Sequence, residues 1–394
     1  MSITASEGFL AAGAAGGLKS AGPDGTPQRD VALVVNTGPI KHAAAVFTTN
    51  TVAAAPVLWS RQAVGDGRAD AVVLNSGGAN ACTGARGFAD THTTAEEAAE
   101  HLQQAGMDVS AGDVLVCSTG LIGERLDMPA LLSGMREAAT SLSADDQAGT
   151  AAAQAIMTTD SVHKTAAASG TGFTVGGMAK GAGMLAPGMA TMLSVITTDA
   201  MIPQPQLDAA LREAVRVSFD RADSDGCMST NDTVILMASG AAAEAEIAEF
   251  RHVLTEVCQD LARQLIADAE GAAHEITIRT VNAPTEEDAE TAGRAVARSN
   301  LFKTAIFGQD PNWGRILAAV GSTEVEFDPD AVDVAVNGVW VCLAGGIGED
   351  RSLVDLAGRR VEVVIDLKNG PAEATILTND LTHDYVHENS AYST

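Results

Sequence analysis

Aromatic side chains are scarce: Phe, Trp and Tyr together make up 4% of the 394 residues. A chain of this length buries a sizeable core, so that core must be built mainly from Ala, Val, Leu, Ile and Met. Cysteine is sparse too. Cys82, Cys117, Cys227, Cys258 and Cys342 are widely spaced and form no CxxC pair, which argues against a disulfide framework or a thiolate zinc site. Isolated core cysteines, and the lack of a basic stretch followed by an apolar one over residues 1–10, lead to the expectation of a cytoplasmic protein. Positive charge is in short supply: 24 Lys and Arg against 51 Asp and Glu give a net charge of -27. A field of that sign repels nucleic acid and anionic membrane, so neither is expected as a partner. No apolar run is long enough to span a bilayer; residues 181–201 come nearest and are interrupted by Gly, Pro, Thr and Asp. HExxH, a Cys/His cluster, GxGxxG after a strand and GxxxxGK[ST] are all missing, so no metal and no cofactor are expected.

Glycine is plentiful, with 39 residues, and predicts many tight turns and close backbone approaches. Apolar periodicity and β-branched runs predict strands over 31–35, 43–48, 71–74, 113–117, 173–177, 192–196, 233–237 and 275–281. Helical spacing is found over 94–104, 129–139, 145–157, 205–219, 244–269 and 286–300. Residues 13–30 read as a loose entry, and residues from 304 onward as short strands and turns. Alternating helices and strands in both halves predict an α/β architecture. A soft boundary near residue 285 separates a main α/β catalytic domain, 1–284, from a smaller C-terminal α/β domain, 285–394.

The densest run of unusual residues spans 176–193: Gly-Gly-Met-Ala-Lys-Gly-Ala-Gly-Met-Leu-Ala-Pro-Gly-Met-Ala-Thr-Met-Leu. It is too rich in glycine for a helix and too irregular for a clean strand. A structural loop feeding the strand at 192–196 is the plain alternative. The run resembles the autocleavage site of the ornithine acetyltransferase family, the bifunctional glutamate N-acetyltransferases of arginine biosynthesis. Stretches 75–80, 117–123, 155–160, 229–233, 268–272, 307–315 and 388–394 resemble the same family in the same order, so the likeness covers almost the whole chain. Residues 163–174 are shorter by about one residue than in common members of the family, and Cys227 and Met228 replace other small or acidic residues.

The resemblance implies self-cleavage between Ala190 and Thr191, giving an α chain, 1–190, and a β chain, 191–394, that stay associated, usually as two of each in a heterotetramer. Thr191 is then an N-terminal nucleophile. A free α-amine has a reference pKa of about 8, so it can take the proton of its own hydroxyl near neutral pH. The reaction implied is ping-pong acetyl transfer from N-acetyl-ornithine to glutamate through acetyl-Thr191, with acetyl-CoA as a possible co-substrate. Thr119 and Gly120 are implied as the oxyanion hole; a strand-to-loop turn is their ordinary alternative. The implied substrate-binding residues are Thr158, Lys180, Glu270, Asn389 and Thr394, with Thr191. Lys180 could instead be a solvated lysine, Thr158 a helix-terminal polar residue, and Glu270 a last-turn residue before a glycine cap. Asn389 and Thr394 belong to a chain end, which ordinarily frays. The implied fold is a layered α/β sandwich of the ornithine acetyltransferase and D-aminopeptidase type, resembling but distinct from N-terminal-nucleophile hydrolases. A self-processed threonine aminopeptidase or amidase stays open as the rival, since only the final acceptor would differ; a non-enzymatic binding protein is the second.

Overall fold

A computed structural model describes residues 2–22, 24–186 and 192–391. In chain order the first strands are β1 (Phe9–Ala14), β2 (Val31–Asn36), β3 (His42–Phe47), β4 (Ala71–Asn75) and β5 (Val114–Ser118). They are followed by β6 (Lys164–Gly170), β7 (Phe173–Lys180), β8 (Leu193–Thr198) and β9 (Thr233–Ala238). The helices among them are α1 (Ala55–Ala63), α2 (Gly84–Gln104), α3 (Met128–Thr140), α4 (Asp146–Ala155), α5 (Gln204–Arg216) and α6 (Ile247–Ala267).

Two sheets form, in the orders β1-β2-β4-β5 and β3-β9-β8-β7-β6. Most of their central strands are buried along their full length, which requires apolar cover on both faces. Alternate side chains show what covers them. Val72 and Leu74 of β4 share a core with Ile235 and Met237 of β9, so the sheets pack face to face. Ala71 and Val73 point the other way, onto Leu102 of α2 and Leu131 of α3. Val234 and Leu236 point onto Leu211 of α5 and Leu261 of α6. The result is a four-layered sandwich, helix–sheet–sheet–helix.

A third sheet and a separate core lie C-terminal to it. The strands are β10 (Glu275–Ala283), β11 (Asp333–Val336), β12 (Val339–Leu343), β13 (Gly346–Ile347), β14 (Arg360–Asp366) and β15 (Ala372–Asn379), in the order β13-β12-β11-β14-β10-β15. Helices α7 (Glu286–Ala297), α8 (Asn300–Phe307) and α9 (Trp313–Val320) cover it with Val296, Phe302 and Ile316. Helix α10 (His383–Ala391) follows β15.

Several elements differ from the sequence expectations, each for a local reason. β7 runs on to Lys180, because antiparallel pairing with β8 carries its glycine-rich end. β1 was not expected, and overlaps only the start of the entry taken as loose; β6 had no apolar alternation to announce it. The helix expected over 286–300 ends at Ala297, and Ser299 accepts the Phe302 N–H to start a further helix, α8, that was not expected. Helices α9 and α10 occupy a region read as strands and turns, α9 being capped by Asn312. The strand at 275–283, on the main-domain side of residue 285 in the sequence reading, is hydrogen-bonded into the six-stranded sheet.

Candidate functional site

The ends of several strands meet at one edge of the sandwich. β4 and β5 run parallel and finish together, Asn75 opposite Ser118. β7 finishes at Lys180, opposite Leu193 at the start of β8, and Leu193 pairs with Thr233 at the start of β9. The loops beyond these ends enclose a cavity of about 300 Å³. Thr119 and Gly120 reach it from β5, Lys180 from β7, Thr158 and Thr159 from the turn before β6, and Ser229 to Asn231 from the loop before β9.

The wall at β5 is tightly held. The Ser118 hydroxyl donates to Asn75 Oδ1 at 2.6 Å, and Asn231 Nδ2 donates to the carbonyls of Ala79 and Ser118. Thr119 exchanges backbone bonds with Asn75 and Gly78. Gly120 sits at φ +130°, and a Cβ there would lie 2.8 Å from the Gly78 nitrogen, so only glycine fits. Among the described residues nothing accepts the Gly120 N–H. Asn75 and Asn80 hold their loops by side-chain bonds to Gly78 and Gly87.

Lys180 is 2% exposed and donates to Thr119 Oγ1 at 3.2 Å. Burial pushes its pKa down, and the Asp160 carboxylate opposes that. Asp160 is the hub beneath it. Its Oδ1 accepts Lys164 Nζ at 2.6 Å and the Gly181 N–H at 2.7 Å, and its Oδ2 accepts the Thr158 N–H at 2.9 Å. Burial would raise its carboxyl, but Lys180 and Lys164 hold it down at about 2. Lys164 also reaches Asp268 at 2.6 Å.

Glu270 forms the opposite wall. It lies beyond the end of α6, not in its last turn. Its Oε1 accepts the Thr159 hydroxyl at 2.8 Å and its Oε2 accepts Asn389 Nδ2 at 2.9 Å. Asn389 arrives on α10, so this chain end does not fray at that residue. Gly271, at φ +62°, makes the approach possible: a Cβ would stand 2.1 Å from the Tyr385 nitrogen. Thr382 pins the helix start by donating to the Gly271 carbonyl and accepting the Tyr385 N–H.

Six residues expected from the sequence, Thr119, Gly120, Thr158, Lys180, Glu270 and Asn389, therefore line one cavity. Ala190, Thr191 and Thr394 lie outside the described residues. On the C-terminal side of that gap, Met192 is anchored: its N–H donates to Asp232 Oδ1 at 2.9 Å. Asp232 is fully buried, burial pushes its carboxyl well above the usual range, and its Oδ2 has no partner among the described residues. Sequence reasoning did not single out Lys19, Thr159 or Asp232 as individual contributors. Thr159 and Asp232 sit inside stretches that were recognised, whereas Lys19 had only its rarity as a cation in a glycine-rich run to mark it. The Asp310–Arg315 stretch is absent from the cavity; there Asn312 caps α9 and Arg315 bonds the Leu301 carbonyl. No group of three or more His, Cys, Asp or Glu among the described residues could hold a metal ion. No helix among them is long and apolar enough to cross a membrane.

Residues 10–394 match the family model described as the ArgJ family. The chain is 60% identical over 395 residues to the arginine biosynthesis bifunctional protein ArgJ of Thermobifida fusca, covering 100% of both chains. It is 51% identical to the protein of that description from Mycobacterium tuberculosis, covering 99% of this chain and 96% of the relative. A solved ornithine acetyltransferase from Mycobacterium tuberculosis, complexed with ornithine, is 52% identical with a TM-score of 0.45, covering 49% of this chain and 96% of that one.

Proposed function

The chain belongs to the ArgJ family, and from that premise we propose how its residues carry out acetyl transfer. The protein is a self-cleaving acetyltransferase of arginine biosynthesis. It converts N-acetyl-ornithine and glutamate into ornithine and N-acetyl-glutamate. The residue roles that follow are our reading of the cavity.

In the precursor the Thr191 hydroxyl attacks the Ala190 carbonyl. The Ala190–Thr191 C–N bond breaks, the freed α-nitrogen takes up the proton, and water hydrolyses the resulting ester. Chains 1–190 and 191–394 result. The Thr191 α-amine then accepts the proton of its own hydroxyl as the oxygen attacks the acetyl carbon of N-acetyl-ornithine. Thr119 Oγ1 and the Gly120 N–H stabilise the oxyanion. The acetyl C–N bond breaks, the proton passes to the leaving nitrogen, and ornithine departs. The α-amine of glutamate next attacks acetyl-Thr191, a proton returns to the threonine oxygen, and N-acetyl-glutamate leaves. Lys180 pairs with a substrate carboxylate, Glu270 with an ammonium, and Thr158, Asn389 and Thr394 complete the pocket. We also propose acetyl-CoA as a second donor, a cytoplasmic location, and assembly as two α and two β chains. For the domains, the place of β10 in the six-stranded sheet favours a division nearer Glu275 than residue 285.

The observation that carries these roles is the contact between Lys180 Nζ and Thr119 Oγ1 at 3.2 Å, which sets a cation beside the candidate oxyanion donors. Intact mass spectrometry of wild type and Thr191→Ala, with N-acetyl-ornithine added, tests the scheme. Wild type should give two fragments, with an acetyl adduct on the one starting at Thr191 that glutamate clears faster than water does. An intact wild-type chain without adduct would overturn it.

A further inference from the structure

The two amino acids handled by this site differ in the charge of their tails. Ornithine ends in an ammonium and glutamate in a second carboxylate, while both carry an α-carboxylate. One acid and one lysine do not suffice. If Lys180 takes the α-carboxylate and Glu270 the ammonium tail, the carboxylate tail of glutamate enters a buried site with no cation of its own, a costly arrangement.

A second cation faces the same cavity. Leu18 and Lys19 line it, on the loop between β1 and β2. The loop is built around one carboxylate. Asp30 is fully buried; its Oδ1 accepts the Gly16 N–H at 2.6 Å, and its Oδ2 accepts those of Gly17, Leu18 and Lys19 at 3.0, 2.7 and 3.1 Å. Four successive amides can converge in this way because Gly17 adopts φ +92°. Gly16 is pressed against α3, where a Cβ would stand 2.6 Å from the Ala130 carbonyl oxygen. The turn is thus fixed on both sides and aims Lys19 at the cavity. Lys19 Nζ donates to the Met157 carbonyl at 3.0 Å, next to Thr158. That engages one of its three donors, and it has no ion-pair partner among the described residues. Asp160, an acid of the site that acts on Lys19 electrostatically, is already occupied by Lys164 and two backbone amides.

We propose that Lys19 binds the side-chain carboxylate of glutamate and so sets acceptor specificity in the second half-reaction, while Glu270 serves the ammonium tail in the first. The inference rests on the ping-pong scheme above. The test separates the halves. Wild type, Lys19→Met and Lys19→Arg are acetylated with N-acetyl-ornithine and followed by quenched intact mass, then chased with glutamate or with glutamine. Lys19→Met should clear its adduct with glutamate on the order of tenfold to a hundredfold more slowly, while adduct formation and clearance by glutamine change less than about threefold. Lys19→Arg should recover most of the glutamate rate. Lys19→Gln, which keeps a donor for the Met157 carbonyl, replaces Lys19→Met if that variant fails to self-cleave. Equal slowing with both acceptors, or an unchanged glutamate rate, overturns the proposal. Absence of any adduct in wild type would instead overturn the ping-pong scheme.

Discussion

The Met192 N–H donates to Asp232 Oδ1 across 2.9 Å, from within a fully buried setting. This bond fixes the residue that follows Thr191 in the chain. It also joins the start of β8 to the turn before β9. Removing the acceptor leaves a buried N–H unsatisfied, at a cost of about 1–3 kcal/mol. Asp232→Ala should therefore lower the denaturation midpoint and leave more uncut chain in freshly purified protein, read on a denaturing gel. Asp232→Asn keeps an oxygen for Met192 and should lose less. The carboxyl is raised in the folded state, so the folded chain holds a proton the unfolded chain releases. Its contribution is present below 3.8 and fades as pH rises from there through the folded value. Urea midpoints of wild type should accordingly fall relative to those of Asp232→Asn as pH rises from 3.8.

Asp160 has the opposite sign. Its carboxyl falls to about 2 against a reference of 3.8, so its contribution, about 2 kcal/mol, is full above 3.8 and lost as pH falls through about 2. Asp160→Asn removes the charge of one of the two carboxylates that pair with the buried Lys164. It should cost about 3–5 kcal/mol at neutral pH, and the gap from wild type should narrow on acidification below 3.8, checked by urea unfolding.

Thr119→Ala removes one candidate oxyanion donor together with the hydroxyl that Lys180 contacts. On a pre-cleaved preparation kcat should fall by about 100-fold to 1000-fold, with Thr119→Ser retaining most of the rate. A steady-state assay with N-acetyl-ornithine and glutamate measures both; an undiminished kcat in Thr119→Ala would count against the oxyanion role.

Glu270 is held from two sides, by Thr159 and by Asn389. Asn389→Ala should raise the KM for N-acetyl-ornithine by about tenfold with a smaller effect on the melting temperature. Gly183→Ala attacks the same acid by volume, since the added Cβ would lie 2.6 Å from Glu270 Oε2. Its KM effect should match that of Asn389→Ala in direction, and combining the two should give less than the product of the separate effects, because both act on one side chain.

Much of this site was legible in the residues. Thr119, Gly120, Lys180 and Glu270 could be named because a resemblance gave each a place in an ordered set of stretches. The central strands could be found because burial on both faces forces long apolar runs such as 71–74 and 233–237. The Asp30 clamp was not legible: four amides on one carboxylate leave no periodicity, and a glycine-rich turn that is rigid reads the same as one that is loose. Helix α10 was hidden for a different reason. It has no buried residue of its own to mark an apolar face, and it is held by Thr382 and by the space above Gly271, contacts that exist only once the chain has folded back.

The strand order β3-β9-β8-β7-β6 interleaves strands from either side of the proposed cut. With the proposed cut between Ala190 and Thr191, β3, β6 and β7 fall in chain 1–190, and β8 and β9, lying between them, in chain 191–394. Before the cut, folding this sheet is a first-order event; afterwards the same sheet can be rebuilt only by collision of two molecules. The mature protein should therefore melt at a temperature that depends on its own concentration, and recover slowly or not at all from dilute denaturant, while an uncut Thr191→Ala chain returns at a rate indifferent to dilution. Activation in this enzyme is thereby also a ratchet: what is assembled once, as a single thread, is not made to be assembled twice.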